Sequence, residues 1–389
     1  MGVYKEMTDL RELFCRAEAV HDDMMETWRF LVDRDCGPDN KEGVDQVGRD
    51  IADFLRPLGF SVRFHDYEKA GNMLVAEYGD MSEPFVILTG HMDTVFAKGT
   101  AAARPFTAKD GKVYGPGALD MKGGVTILLY AVKLLIEAGY SRHPLKIILA
   151  GDEETGHARS HGAADYMAES RGAMAGFNLE TGFMDGRIIT ARKGVYQCRF
   201  DVDGVGAHAG NNPEDGRSAV AELARKVADI EALTDWKKGT NVNVGVFQGG
   251  TVSNAVPEHA FCQVDVRFKT NDELDRVKKG FAAIAAKVYR EGTHTTVTPI
   301  VGVSAMEELP GTEALFEKAS RAAEKAGLGR LTRGATGGGS DSAYLAAAGV
   351  PTLCALGVQG EFNHTVREYA VEASLTERLK LLLAILMAV

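Results

Sequence analysis

The stretch GGVTILLYAVKLLIEAG (123–139), followed after YSRHP by LKIILAGDEE (145–154), decides the fold class. The first part reads as a helix that opens at a glycine pair and stops at Gly139. The second begins with a short continuous apolar run, the mark of a strand covered on both faces, and runs into acids. FVILTG (85–90) upstream has the same character, so strand, helix and strand follow in turn. That alternation predicts an α/β domain with a largely parallel central sheet. Further upstream, FSVRFHDY (60–67) and NMLVAEY (72–78) read as strands. Residues 7–58 carry apolar positions at three- and four-residue spacing around Leu10, Phe14, Trp28 and Phe30, which predicts helices.

The pattern changes near residue 194. VYQCRFDVDG (195–204) alternates like a half-buried strand, and SAVAELARKVADIEAL (218–233) is amphipathic. TNVNVGVFQGG (240–250) and HAFCQVDVRFK (259–269) read as adjacent strands. ELDRVKKGFAAIAAKVYR (273–290) reads as a helix and HTTVTPIVGV (294–303) as a last strand. This β-α-β-β-α-β order fits a ferredoxin-like α+β sandwich. Helices return over 313–326, 341–348 and 373–388, with a strand-like VPTLCALG (350–357) between them. The expected organisation is therefore a discontinuous first domain, 1–193 with 304–389, interrupted by a second domain at 194–303. A chain of 389 residues also exceeds what one core usually serves.

Composition excludes several function classes. Lys and Arg total 44 against 54 Asp and Glu, a net charge of −10, without the basic stripe a nucleic-acid binder needs. The five cysteines (Cys15, Cys36, Cys198, Cys262, Cys354) are scattered and form no C-x-x-C, so neither a disulfide framework nor a cysteine zinc site is expected. The first residues hold acids and lack an apolar core, so no signal peptide is expected. LLLAILMAV (381–389) is too short to span a bilayer. A cytoplasmic location without membrane partners is the expectation.

Acids and histidines collect where strands end. FVILTGHMDTV puts His91 and Asp93 just past a buried strand, and YGPGALDMKGG puts Asp120 on a glycine-rich turn before a helix. IILAGDEETG places Asp152, Glu153 and Glu154 at another strand end, GFNLETG adds Glu180, and GEFNHTVREY adds His364. Singly, these also read as a hydrogen-bonding histidine, a helix N-cap or a solvated turn. Together they supply two histidines and six carboxylates, and two histidines with three carboxylates, one of them shared, suffice for two zinc ions. Three successive acids at a buried strand end repel one another and lose hydration, which points the same way. A further glutamate would serve as base for water activated at such a centre.

The motifs HMDTV, GPGALDMKGG, DEETG, NLETG, AHAG, GGTVSNAVP, DVRF, GGGSDSAY and NHTVREY occur in an order that resembles the co-catalytic di-zinc family of glutamate carboxypeptidase, acetylornithine deacetylase, succinyl-diaminopimelate desuccinylase and aminoacylase. The resemblance covers about residues 20–385 and is nearest the glutamate carboxypeptidase branch. It implies a zinc-exopeptidase-like catalytic domain and an inserted lid that also dimerises. It implies two Zn2+ per subunit, with Co2+ or Mn2+ as alternatives. Asp120 would bridge, His91 and Glu180 would complete one ion, and Glu154 and His364 the other. Glu153 would be the general base, Asp93 would orient His91, and the Asp120–Met121 peptide would be cis.

On the substrate side, the resemblance implies that His208 stabilises the oxyanion from a partner subunit. Asn254, Arg267 and backbone N–H groups at Gly338 and Gly339 would hold the substrate's free carboxylate. Arg187, downstream of Glu180, is a candidate for a second, side-chain carboxylate. The expected activity is hydrolysis of an amide next to a free carboxylate, in a peptide or an N-acyl amino acid. The alternatives are a biosynthetic deacylase of the acetylornithine type and a catalytically silent peptide- or amino-acid-binding protein.

Overall fold

Apolar runs bounded by glycine and proline become the central strands. The computed structural model describes the backbone of residues 2–389 and the side chains of residues 10–389. The chain divides into two compact units: Met1–Thr190 with Glu308–Ala335 and Ser340–Val389, and Ala191–Glu307 with Thr336–Gly339.

The first unit is built on a six-stranded sheet. In spatial order the strands are Ser61–His65, Met73–Tyr78, Leu145–Ala150, Phe85–His91, Ala173–Asn178 and Thr352–Leu353. The last four run parallel, and the first two form an antiparallel hairpin on one edge. Every residue of Phe85–His91 and of Leu145–Ala150 is buried, as their continuous apolar character requires. Truncating one of these side chains, as in Leu88→Ala, would cost about 2–5 kcal/mol.

Helix Gly123–Glu137 buries residues all round its circumference. Gly124 is required by a close approach: a Cβ there would come 1.9 Å from the carbonyl oxygen of Leu179. The bare glycine lets the backbone leading into Glu180 lie against the helix that follows Asp120. Helix His21–Val32 buries Met24, Trp28, Leu31 and Val32, an i, i+4, i+7, i+8 stripe. Trp28 Nε1 donates to the carbonyl of Ala118 at 3.0 Å, so a core side chain also fixes the turn before Asp120.

The second unit has a four-stranded antiparallel sheet. Its spatial order is Asn241–Gly249, His259–Phe268, Gly194–Asp203, His294–Val303. With helices Ala219–Glu231 and Asn271–Ala286 this gives the β-α-β-β-α-β sandwich read from the sequence. Cys198, Phe200 and Val202 face the core, while Gln197, Arg199 and Asp201 between them do not. Thr336–Gly339 joins this unit, whereas the sequence reading grouped it with 304–389. The cause is local: Lys193 N donates to Thr336 O at 3.0 Å, and Arg192 Nη1 donates to the carbonyl of Gly339 at 3.0 Å. No helix among the described residues is long and apolar enough to cross a membrane.

Candidate metal centre

Three parallel strands end nearly in step, with His91 level with Ala150 and Thr89 level with Asn178. His91, the Glu153–Glu154 turn and Glu180 therefore emerge together at the carboxyl ends of adjacent strands, where open α/β sheets collect ligands. Asp120 reaches the same place from the irregular turn Ala118–Lys122, whose backbone leaves helical geometry at Asp120 and Met121. The Asp120–Met121 peptide is cis, as the family resemblance implies.

Asp120 faces two groups with its two oxygens. Oδ1 lies 3.2 Å from His91 Nε2, and Oδ2 lies 3.2 Å from His364 Nε2. Glu180 Oε1 is 3.6 Å from His91 Nε2, and Glu154 Oε2 is 3.1 Å from His364 Nε2. Two candidate ligand triads result, His91–Asp120–Glu180 and Asp120–Glu154–His364, the donor atoms of each within 4.8 Å of one another. All three members of the first are buried, whereas the side chain of His364 is 51% exposed. Imidazole and carboxylate donors in threes suit zinc and similar divalent ions, with a position left for water.

Without cations these groups crowd. Burial pushes the Glu154 carboxyl up to about 7, with Asp120 adding to the rise. Burial likewise raises Glu153 well above the usual carboxylate range; His91 opposes the rise, and Glu180 and Asp341 add to it. Against its own burial, Asp120 is held well below that range by hydrogen bonds with His364 and His91. Those with Asp120 and Glu154 raise His364 to about 11. Glu154 Oε1 is buried and has no hydrogen-bond partner among the described residues. Buried carboxylates gathered around two imidazoles call for added positive charge, and the residues fit divalent ions.

Asp93 is buried beneath the site. The nearer acceptor for His91 Nδ1 is its main-chain oxygen at 3.0 Å, its carboxylate standing 3.4 Å away. The carboxylate instead accepts from the N–H groups of Glu153 (3.1 Å) and Glu154 (3.0 Å), so it aims the acidic turn. Asp152 is set apart from its two neighbours. It takes hydrogen bonds from Ser160 and lies 3.1 Å from Nδ1 of buried His157, whose Nε2 meets Asp341 at 2.7 Å. Of the three successive acids, Glu154 lies in a candidate metal-ligand group, while Asp152 is engaged by His157 and Ser160.

The substrate-side candidates are distributed differently. In the second unit, Ala209 N donates to Asn254 O at 3.0 Å, and His208 pairs with Ala255 across a short ladder. This brings the His208 and Asn254 loops together, both exposed. His208 Nδ1 accepts from Gly210 N and Asn211 N, which leaves Nε2 as the N–H donor of the neutral ring. Arg267 is engaged by Asp265 through Nε (2.8 Å) and Nη2 (3.1 Å). The carbonyls of Gly338 and Gly339 accept from Arg192. Arg187, in the first unit, lies 3.4 Å from Asp185 and stacks over Phe183.

Two residues at the site were missed by sequence reasoning. Asn363 Nδ2 donates to Asp120 Oδ2 at 3.0 Å. Its place beside His364 in NHTVREY was the available signal. Glu368, wholly buried, accepts from Leu119 N at 2.9 Å and Asp120 N at 3.3 Å, a pairing nearly 250 positions apart that no local pattern announces.

Comparison with known proteins agrees with this geometry. The model of peptidase family M20/M25/M40 matches residues 87–388. Carboxypeptidase G2 of Pseudomonas sp. (strain RS-16) is 29% identical over 361 residues, 91% of this chain and 86% of the relative. Acetylornithine deacetylase of Proteus mirabilis is 29% identical over 233 residues, 56% of this chain and 58% of the relative. The crystal structure of aminopeptidase PepT from Bacillus cereus superposes with a TM-score of 0.78 at 26% identity, covering 95% of this chain and 98% of that one. The chain belongs to peptidase family M20/M25/M40 and is a hydrolase of the metallopeptidase and amidohydrolase type.

Proposed function

We propose that the chain hydrolyses an amide bond next to a free carboxylate. It would release the C-terminal residue of a small peptide or split an N-acyl amino acid, using two Zn2+ ions per chain. The observation that carries this reading is the division of Asp120's two oxygens between two histidine–carboxylate groups, with Glu153 alongside. Bound zinc supplies Lewis acidity, polarising the amide carbonyl and acidifying water. Glu153 takes the proton from the attacking water as its oxygen bonds to the carbonyl carbon. The same carboxyl then delivers that proton to the amide nitrogen as the C–N bond breaks.

We place the remaining roles in the same scheme. His208 Nε2–H of a second copy of the chain donates to the developing oxyanion, the copies forming a homodimer through the second unit. Arg267, Asn254 and the backbone at Gly338 and Gly339 receive the substrate's free carboxylate, which competes with Asp265 for the Arg267 guanidinium. Arg187 favours substrates with an acidic side chain. Zinc as the ion and the cytoplasm as the location belong to this reading too. Similarity to carboxypeptidase G2 over most of both chains supports the carboxypeptidase side of the reading. The shorter match to acetylornithine deacetylase keeps N-acyl substrates within it.

A panel of acyl-glutamates, acyl-ornithine, dipeptides and tripeptides, each with a free and an amidated C-terminus, tests the proposal. The zinc-loaded protein should turn over free-carboxylate members and lose most activity on their amides. Equal rates on both forms would reject the carboxylate requirement, and no turnover at all would favour a silent binding protein.

A further inference from the structure

We propose that Glu368 is a positioning residue that locks the shared ligand Asp120 and the loop of His364 into one unit; this rests on the metal-centre reading above. Glu368 has no exposed surface, and among the described residues no group within strict hydrogen-bond geometry meets its Oε2. A carboxylate in such a place is costly, and an apolar side chain would avoid the cost. Its compensation lies at Oε1, which accepts from the N–H groups of both Leu119 and Asp120.

Those two donors need an outside acceptor. They sit in the turn before helix Gly123–Glu137, where Asp120 and Met121 are not helical. N–H groups at such an entry have no carbonyl one turn back and must be satisfied by a side chain or water. Other bonds of this turn leave those two N–H groups to Glu368: Trp28 Nε1 donates to Ala118 O, and Lys122 N donates to Gly117 O. Glu368 thus fixes the peptide from which the Asp120 side chain leaves, and so how its two oxygens are shared.

The same residue closes the His364 loop. Glu368 N donates to Thr365 O at 3.1 Å, and Thr365 N donates to Phe362 O at 3.2 Å. Between these turns stands His364, in the left-handed region at φ +63 and half exposed. A half-exposed ligand on a loop depends on its anchor. Here the loop is closed by the Glu368 main chain and tied through the Glu368 side chain to the turn of Asp120, so losing that side chain loosens the more exposed triad first.

Cobalt titration of the metal-free protein, followed by Co2+ absorption and equilibrium dialysis, tests this independently of turnover. Wild type should bind two equivalents. Glu368→Ala should weaken the second equivalent about 10–100-fold, the usual cost of removing a group that orients metal ligands. Glu368→Gln should recover to within a few-fold of wild type, its amide oxygen taking the side with two N–H donors. That rescue would not occur if Glu368 acted only through its charge. A folded Glu368→Ala that titrates like wild type would overturn the proposal, as would a Glu368→Gln no better than Glu368→Ala. If Glu368→Ala does not fold, Glu368→Asp, one methylene short of the turn, must show weakened second-site binding, and wild-type affinity there overturns the proposal equally. Wild type binding no cobalt would instead remove the metal-centre reading itself.

Discussion

Two acidic clusters of the first unit carry opposite electrostatics. Glu169 accepts from Arg63 at 2.6 Å, lies 2.9 Å from His65 Nε2 and 3.2 Å from Lys146 Nζ, with Glu77 the second acid of the network. Although burial disfavours its charge, hydrogen bonds with Arg63, His65 and Lys146 hold the Glu169 carboxyl down at about 2. At the strand ends, Asp120, Glu153, Glu154 and Glu180 gather around His91 and His364, and burial drives Glu154 up to about 7. The fold neutralises one cluster with its own side chains and leaves the other short of positive charge. Divalent cations, in the reading proposed here, make up that deficit.

The largest effect expected on this contrast comes from the base. Glu153→Ala should lower kcat by at least about a hundredfold while metal content stays unchanged, because Glu153 is outside both triads. Mixing it with an inactive His208→Ala variant should restore activity if the two residues act from different copies. Metal loss in Glu153→Ala would move Glu153 into the ligand set. A smaller effect is expected at the self-neutralised cluster, where Glu169→Gln should lower Tm near pH 7 by about 2–4 °C, equivalent to roughly 1 kcal/mol. The sign follows from a folded carboxyl at about 2 against an ordinary value of 4.5. Its contribution is present above about 4.5 and is lost as pH falls through 2, so the two Tm curves should converge in acid. Curves that stay parallel down to pH 2 would remove Glu169 from the account.

Much of this was legible locally. The apolar runs at 85–90 and 145–150 and the apolar helix between them place His91, Glu153 and Glu154 at strand ends without knowledge of tertiary contacts. Alternation gave the second unit's strands because one face of its sheet is covered by helices. VPTLCALG was less faithful. Only Thr352–Leu353 pairs in the sheet, because Ala355 turns left-handed at φ +65 and Leu356 N bonds instead to Asn178 O. Helix Ala163–Ser170 escaped notice because its short sequence buries only Tyr166 and Ser170, too few to show a period. At the site, residue types pointed to the two candidate metal-ligand groups, but not to the separate fate of Asp152. Its neutralising partner His157, five positions on, also meets Asp341 from nearly two hundred positions away. Glu368 was illegible for the same reason: its meaning lies in backbone donors from a distant turn.

The central claim is that two cation sites share Asp120. Measuring zinc stoichiometry by equilibrium dialysis in wild type and Glu154→Ala tests it most directly. Two ions should bind wild type and one should remain in Glu154→Ala, held by His91, Asp120 and Glu180. Two ions in both proteins, or none in wild type, would contradict it.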